Sequence, residues 1–94
     1  MSTVLYSAQA LKDIEQLAEF LPATDPQAAA ETGGLLAEAI TALSRHPLLG
    51  RIAEQGLREL VISRGRTGYV ALYRFDAESD RVFILAIRHQ REIG

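Results

Sequence analysis

The sequence predicts an α+β domain with the element order β-α-α-β-β-β, in which a helical hairpin packs on one face of a small antiparallel sheet. This prediction depends on two observations. Apolar residues recur at helical spacing through the first half of the chain, and the second half changes to runs rich in Val, Ile, Tyr and Phe. With 94 residues, the chain has the length of a single domain, residues 1–94.

A short strand and an amphipathic helix are predicted at the start of the chain. The strand is the run TVLY at residues 3–6, and Ser7 after it is a good N-cap. In residues 8–21 the apolar side chains recur at helical spacing, while charged and amide side chains occupy the other side. We expect Pro22 to end this helix, because proline has no N–H to donate to the preceding turn.

A second helix is predicted from Asp25-Pro26, an N-cap with proline at the first helical position, to about Arg45. The short connection makes the two helices an antiparallel hairpin. Gly33 and Gly34 lie in the middle of this helix, where each glycine costs up to ~1 kcal/mol relative to alanine. We expect a close approach of the first helix or of the sheet at these glycines, with a kink as the alternative.

Three strands are predicted in the second half, at residues 57–63, 68–76 and 81–89, after a glycine-containing connector at residues 48–56. The turn sequences RGRTG and DAESD separate the strands, which therefore form two successive hairpins of an antiparallel meander. Together with the first strand they make a sheet of about four strands.

The composition excludes several classes of site. There is no cysteine, which excludes disulfides, thiolate metal sites and cysteine nucleophiles and fits a reducing compartment. Only His46 and His89 remain as nitrogen ligands, so we expect no metal and no cofactor. The longest apolar run, VFILAI, has six residues, and the start of the chain resembles neither a signal nor a transit peptide. These features predict a cytoplasmic protein without membrane contact.

The two halves of the chain carry opposite charge. Residues 1–42 hold one base and six acids, a balance of −5, whereas residues 43–94 hold nine arginines and six acids, a balance of +3. This asymmetry indicates an acidic surface and an arginine-bearing surface, and the second fits an acidic partner or a phosphate backbone. Ordinary solvation of a small domain is the alternative explanation.

Arginines are concentrated in the predicted strands, where lysine is absent. The planar guanidinium binds carboxylates and phosphates through paired hydrogen bonds better than an ammonium does. Tyr69 could stack on a base, although half-buried packing is the simpler interpretation of tyrosines at alternate strand positions. The candidate binding residues are Arg58, Arg64, Arg66, Tyr69, Arg74, Arg88, His89 and Arg91.

Strand alternation assigns these side chains to two faces of the sheet. Arg88 and His89 begin on opposite faces, so a joint site would need a bulge or a strand end near residue 88. His89 is a candidate general acid or base, and the simpler interpretation is a partly buried histidine at a strand end. Glu59 is predicted to form a salt bridge with a neighbouring arginine. Simple alternation places four residues of the last strand on one face, namely Val82, Ile84, Ala86 and Arg88.

Several strings, taken in order, resemble one protein family. The segment RELVISRGRTGYVALYRFD at residues 58–76, followed by RVFILAIRHQRE at residues 81–92, resembles the C-terminal half of the RelE/ParE superfamily of toxins from bacterial type II toxin-antitoxin systems. The start, YSAQALKDIEQLAEFL at residues 6–21, is similar to the first helix of that family. HPLLGR at residues 46–51 fits its connector. The resemblance extends over essentially the whole chain.

The resemblance implies the toxin component of a type II toxin-antitoxin (plasmid stabilisation) system, neutralised by a cognate antitoxin in a hetero-oligomer. The antitoxin would cover apolar residues such as Leu60, Ile62 and Leu72, unless these residues face the helices. The candidate arginines would then bind acids of the antitoxin or contact the target.

Two activities occur in this superfamily. RelE-like members cut messenger RNA in the ribosomal A site, whereas ParE-like members poison DNA gyrase and lack that catalytic set. Val70 stands where RelE-like ribonucleases commonly carry an arginine, and no tyrosine follows Glu92. The resemblance therefore favours a ParE-like inhibitor of DNA gyrase. The alternative is a ribosome-dependent messenger RNA endonuclease that uses Arg58, Arg66, Arg88 and His89.

Overall fold

The computed structural model describes residues 1–24, 26–64 and 67–89. The fold class is confirmed, because two helices pack on one sheet and every predicted helix and strand is present. A 3-10 turn at Glu54–Gly56 joins the second strand to the third. The elements are β1 (Thr3–Tyr6), α1 (Ala8–Thr24), α2 (Pro26–Arg45), β2 (Arg51–Ile52), β3 (Arg58–Arg64), β4 (Thr67–Asp76) and β5 (Arg81–His89).

Two elements differ from the prediction. α1 continues through Pro22 to Thr24 instead of ending at the proline. Pro22 stands in the last turn, where its missing N–H removes a single helical hydrogen bond and its fixed φ is compatible with a helix. β2 lies inside the predicted connector at residues 48–56, and its two residues are too few to show a strand periodicity.

The strands of the described chain form one five-stranded sheet in the order β1-β5-β4-β3-β2. The prediction of a purely antiparallel sheet is wrong at one edge, because β1 pairs with β5 in parallel. The helical hairpin connects β1, at one edge of the sheet, to β2 at the other edge. Strands β2 to β5 then follow one another back across the sheet, and β5 lies beside β1 in the same direction. The remaining strand pairs are antiparallel, as predicted.

Both helices pack on the same face of the sheet, with α1 over β5 and α2 over β3. The core lies between this helical layer and the sheet. Leu60 and Ile62 of β3 face the helices, whereas Leu72 of β4 lies on the other face. The buried cluster comprises Ala10, Leu35, Leu36, Leu43, Ile62, Tyr69, Ala71, Tyr73, Val82, Ile84 and Ile87.

Side chains at the start of α1 replace β1 as hydrogen-bond partners of β5 where β1 ends. The Ser7 hydroxyl accepts a hydrogen bond from the N–H of Ala10 at 3.0 Å, as expected for an N-cap, and donates to the carbonyl oxygen of Leu85 at 2.8 Å. A carboxylate oxygen of Asp13 accepts the N–H of Ile87 at 2.9 Å. These bonds attach the second half of β5 to α1 and position the strand that holds the C-terminal candidate residues.

Gly33 and Gly34 are exposed on α2, and a Cβ atom added at either position would meet no other atom within 4 Å. The expected close approach of the first helix or the sheet is therefore wrong. α2 runs as one helix through both glycines. Because no contact uses the missing side chains, the two glycines lower the stability of the helix without a compensating interaction inside the described fold.

We expect Gly33→Ala and Gly34→Ala each to stabilise the protein by about 0.5–1 kcal/mol, because alanine has the higher helix propensity and its methyl group has free space at both positions. Thermal unfolding of the single and double variants measures this gain. Gly50→Ala is the control and should destabilise, since a Cβ at Gly50 would lie 2.7 Å from the Tyr73 ring. A lower melting temperature of Gly33→Ala or Gly34→Ala would contradict the interpretation.

Candidate functional site

The candidate residues lie on both faces of the sheet. Alternation in β4 directs Tyr69 toward the helices and Arg74 toward the helix-free face. In β5, Arg88 pairs with Val70 and His89 pairs with Tyr69. Since directly paired residues share a face, Arg88 lies on the helix-free face and His89 on the helix face. The two residues therefore remain on opposite faces.

A β-bulge in β5 determines which face each of them occupies. Leu85 has no partner in β4, because the register of the two strands shifts at this point. The extra residue moves the alternation by one position, so that Ile84 and Ile87 both reach the core. Simple alternation through residues 81–89 is therefore wrong after Leu85. The bulge lies before both candidate residues, so it changes the faces of Arg88 and His89 together relative to simple alternation. As a result, Arg88 lies on the face opposite to that of Ile84.

His89 and Tyr69 meet at one end of the helix face. Their rings pack edge to face, with centroids 5.5 Å apart and planes at 73°. The Tyr69 hydroxyl lies 3.5 Å from Oγ1 of Thr32 on α2, and both residues are 3% exposed. Tyr69 is thus a packing residue, in agreement with the simpler interpretation of the sequence. His89 is partly buried beside it.

Arg58 binds the backbone of the connector that follows α2. Its Nη1 donates to the carbonyl oxygen of Gly50 at 2.8 Å and to that of Leu48 at 3.4 Å. Tyr73 is the residue of β4 that pairs with Arg58. Its hydroxyl accepts a hydrogen bond from the N–H of Gly50 and donates one to the carbonyl oxygen of Pro47, both at 2.8 Å. The two side chains therefore hold the end of the helical hairpin against the sheet.

Gly50 makes this arrangement possible. A Cβ atom there would lie 2.7 Å from Cε1 of Tyr73 and 2.8 Å from the carbonyl oxygen of Glu59. A side chain does not fit in this space, so the backbone reaches the tyrosine hydroxyl only because the residue is glycine. The role of Tyr73 was not predicted from the sequence, and the glycine in HPLLGR is the signal that could have identified it.

The predicted salt bridge of Glu59 is present. Its carboxylate lies 3.4 Å from Nη2 of Arg51 in the neighbouring strand β2. The arginine side chain is two-thirds exposed, so that the pair contributes at most about 1 kcal/mol. Of the other candidates, Arg64 is the last residue of β3, and Arg66 and Arg91 lie outside the described residues.

The helix-free side of β4 and β5 forms a mixed apolar and basic surface. The Arg74 guanidinium lies over the Phe83 ring, 4.7 Å from its centroid, in a cation–π contact. At the end of β4, the Ser79 hydroxyl donates to Asp76 and lowers the pKa of that carboxyl, and the charge of Arg74 lowers it further. We call this surface the arginine face; it comprises Leu72, Arg74, Arg81, Phe83 and Arg88.

The chemistry available on this surface is the binding of anionic groups by guanidinium ions. Among the described residues, no group of three or more His, Asp and Glu side chains is placed to hold a metal ion. Within residues 1–24, 26–64 and 67–89, no helix has the length and apolar character needed to cross a membrane. The arginine face therefore combines cationic hydrogen-bond donors with the half-buried side chains of Leu72 and Phe83, which is typical of a surface that binds a protein or a phosphate group.

Comparison with known proteins identifies the family. The family model described as ParE toxin of type II toxin-antitoxin system, parDE, matches residues 4–94. Two toxins of Caulobacter vibrioides are similar along most of their length. Toxin RelE1 is 39% identical over 80 residues, or 85% of this chain and 86% of that one. Toxin RelE3 is 36% identical over 92 residues, or 98% of each chain.

Solved structures of such toxins have the same fold. The chromosomal ParDE system from P. aeruginosa gives a TM-score of 0.76 at 20% identity, with 95% of this chain and 96% of that one covered. The RelBE2 toxin-antitoxin complex from Mycobacterium tuberculosis gives 0.62 at 29% identity, with 95% and 98% covered. Fold and sequence thus define a toxin of a type II toxin-antitoxin system. Within that class, the chain belongs to the ParE toxin family of the RelE/ParE superfamily.

We expect Arg58→Ala to lower the free energy of unfolding by about 1–3 kcal/mol, because it leaves the carbonyl group of Gly50, at a partly buried position, without its charged donor. Arg74→Ala is the matched control, since its exposed cation–π contact is worth about 0.5–1 kcal/mol. Urea denaturation of both variants measures the difference. Equal stability of the two variants would show that Arg58 is not needed to hold the connector.

Proposed function

We propose that the protein acts in the cytoplasm as a ParE-like inhibitor of DNA gyrase and that a cognate antitoxin neutralises it. The observation that carries the proposal is the separation of the residues that an endonuclease would use. Arg88 lies on the arginine face, His89 lies on the helix face, and Arg58 binds the connector after α2.

An endonuclease needs its acid, its base and its phosphate-binding cations around one scissile bond. Arg58, Arg88 and His89 do not converge in this way, because the sheet lies between Arg88 and His89. Val70, the residue beside Arg88 on β4, is apolar and 4% exposed, and its side chain supplies no hydrogen-bond donor to a phosphate. This arrangement favours a toxin that acts by binding a target, which needs a complementary surface rather than a catalytic constellation.

The neutralising partner is supported by the similar structures and by the character of the arginine face. The matched proteins from P. aeruginosa and M. tuberculosis were solved as a ParDE system and a toxin-antitoxin complex. A surface that combines arginines with Phe83 and Leu72 fits a partner segment that carries acidic and apolar side chains. A role in plasmid stabilisation would follow from such a pair.

A second candidate function is a ribosome-dependent messenger RNA endonuclease. It is favoured by the names of the Caulobacter toxins, which are RelE1 and RelE3, although the family model carries the ParE name. For this function Arg88 and His89 would have to act on one substrate. The endonuclease therefore needs His89, whereas the gyrase inhibitor does not.

The purified protein is added to DNA gyrase in supercoiling and DNA-cleavage assays and, in parallel, to ribosomes programmed with messenger RNA. We expect inhibition of gyrase with trapped cleaved DNA, and an intact message. Cleaved message with unaffected gyrase would reject the proposal and establish the endonuclease.

Paired variants at neighbouring positions sharpen this experiment. Arg88→Gln should weaken gyrase inhibition about tenfold, because it removes a charge from the arginine face. His89→Gln, on the opposite face, should leave inhibition within about twofold, provided that its melting temperature is unchanged. An equal and severe loss in both variants would indicate a shared catalytic site and contradict the proposal.

A further inference from the structure

Resting on the proposed inhibition of gyrase, we propose that the arginine face binds the phosphate backbone of duplex DNA, and that it contacts the DNA held by gyrase in the inhibited complex. Binding is independent of base sequence, because the face contacts the outside of the duplex and not the base edges. Three exposed arginines carry this binding, namely Arg74, Arg81 and Arg88.

These three arginines have no acidic partner within the described fold. Among residues 1–24, 26–64 and 67–89, no carboxylate lies within salt-bridge distance of their guanidinium groups, whereas Arg51 has such a partner in Glu59. In the same part of the chain, none of the three donates a hydrogen bond to another residue. Their N–H donors are therefore available to an external anion, and a guanidinium binds phosphate oxygens through paired hydrogen bonds.

Asp76 shares the face of these arginines but is bound by the turn that follows β4. It pairs with Arg81 and follows Arg74 by two positions along the strand. One of its carboxylate oxygens accepts the N–H of Glu78 at 3.2 Å, and the other accepts the hydroxyl of Ser79 at 2.8 Å. Because the turn binds both oxygens, this carboxylate does not take the place of an external anion.

The three arginines form a row along the strands. Arg88 pairs with Val70, and Arg74 lies four residues further along β4, which corresponds to about 13 Å. Arg81 pairs with Asp76, about 7 Å beyond Arg74. The row is therefore about 20 Å long and spans two strands that lie about 4.8 Å apart. Since B-DNA rises about 3.4 Å per base pair, the row matches about six base pairs of a duplex.

A cation–π contact restricts the arginine in the middle of the row. The Arg74 guanidinium lies 4.7 Å from the centroid of the Phe83 ring. This stacking uses the flat face of the guanidinium and leaves the N–H groups at its rim for phosphate oxygens. The side chain is thus partly ordered before DNA arrives, which lowers the entropy cost of binding.

The acidic groups of the first half of the chain lie largely on the other side of the sheet. Residues 1–42 have a charge balance of −5, and most of their acids belong to α1 and α2, which pack on the opposite face. A domain with an acidic helical layer and an arginine-bearing sheet face turns the sheet face toward a polyanion. A chain with a net charge of −2 can therefore bind DNA through one face.

The positions of the aromatic rings favour a duplex over a single strand. Proteins that bind single-stranded nucleic acid stack its bases on accessible aromatic side chains. Tyr69 and Tyr73 are buried beneath the helices, and Phe83 is half-buried with Arg74 over its ring. The described part of the arginine face thus offers cations for a phosphate backbone and no open ring on which a base could stack.

A titration with DNA in the absence of gyrase tests the proposal. A duplex of about twelve base pairs, twice the length of the row, is added to the toxin at low salt, and the arginine Nε–H resonances are followed by NMR. We expect the resonances of Arg74, Arg81 and Arg88 to shift. The resonance of Arg58, whose side chain binds the connector, should stay in place. Single-stranded RNA and an acidic peptide of equal charge are titrated in parallel, and both should bind more weakly than the duplex.

The salt dependence of duplex binding gives the number of phosphate contacts. Three contacts predict a slope of about −2.7 for the logarithm of the binding constant against the logarithm of the salt concentration. The double variant Arg74→Gln and Arg88→Gln should reduce the slope to about −0.9, whereas lysine at both positions should keep it. Lys12→Gln is the matched control, because it removes one exposed charge from α1. If the glutamine double variant does not fold, Arg81→Gln with Arg88→Gln replaces it.

Several outcomes would overturn the proposal. These are the absence of duplex binding at low salt, a slope that the folded double variant leaves unchanged, and a shift of Arg58 without shifts on the arginine face. Tighter binding of the RNA would identify a single strand as the ligand, and tighter binding of the acidic peptide would identify a protein; either result contradicts a duplex-binding face.

The gyrase assay separates this proposal from the proposed function. Inhibition of gyrase by a toxin that does not bind the duplex would overturn the DNA contact and leave the gyrase target intact. Duplex binding without inhibition would confirm the DNA-binding face and reject gyrase as the target. We expect the glutamine double variant to lose at least about tenfold in both duplex binding and gyrase inhibition.

Discussion

The fold depends on the hydroxyl group of Tyr73, which is fully buried in the sheet. Tyr73 belongs to β4, and both of its hydrogen-bond partners belong to the connector between α2 and β2. A buried hydroxyl or backbone N–H left unpaired at this depth costs about 1–3 kcal/mol, so the connector is restricted to one path. That path fixes where the helical layer ends and where β2 and β3 begin. The position of β3 beside α2 is therefore defined by one buried hydroxyl.

The arginines of the sheet divide into structural and surface roles. Arg58 donates hydrogen bonds to carbonyl groups of the connector, and Arg51 forms a salt bridge with Glu59. Arg74 and Arg88 remain on the arginine face, where they are exposed. The positive balance of the second half of the sequence is thus larger than the positive charge available for recognition. This difference explains why a count of arginines overstates the electrostatic surface of so small a sheet.

The elements with clear periodicity could be predicted from the sequence, because each depends on local patterns. Ser7 indicates the start of α1, the alternation of side chains indicates β4, and the spacing of apolar residues indicates the two helices. Each of these signals lies within a short stretch of the sequence. The parallel pairing of β1 with β5 could not be predicted in this way, since it joins residues nearly eighty positions apart. The role of Arg58 was missed for a related reason: the carbonyl groups that it binds carry no sequence signal. Gly33 and Gly34 were misinterpreted because their helix face is exposed rather than packed.

The bulge at Leu85 has a consequence for the evolution of this sheet. Loss of the codon for Leu85 would restore regular alternation and leave Arg88 and His89 on their present faces, beside Val70 and Tyr69. A strand that kept Leu85 but lost the bulge would instead turn every later residue to the other face, with the imidazole on the open side of the sheet and the guanidinium beneath the helices. The bulge, and not the order of the side chains alone, therefore decides which chemistry each face of the sheet displays.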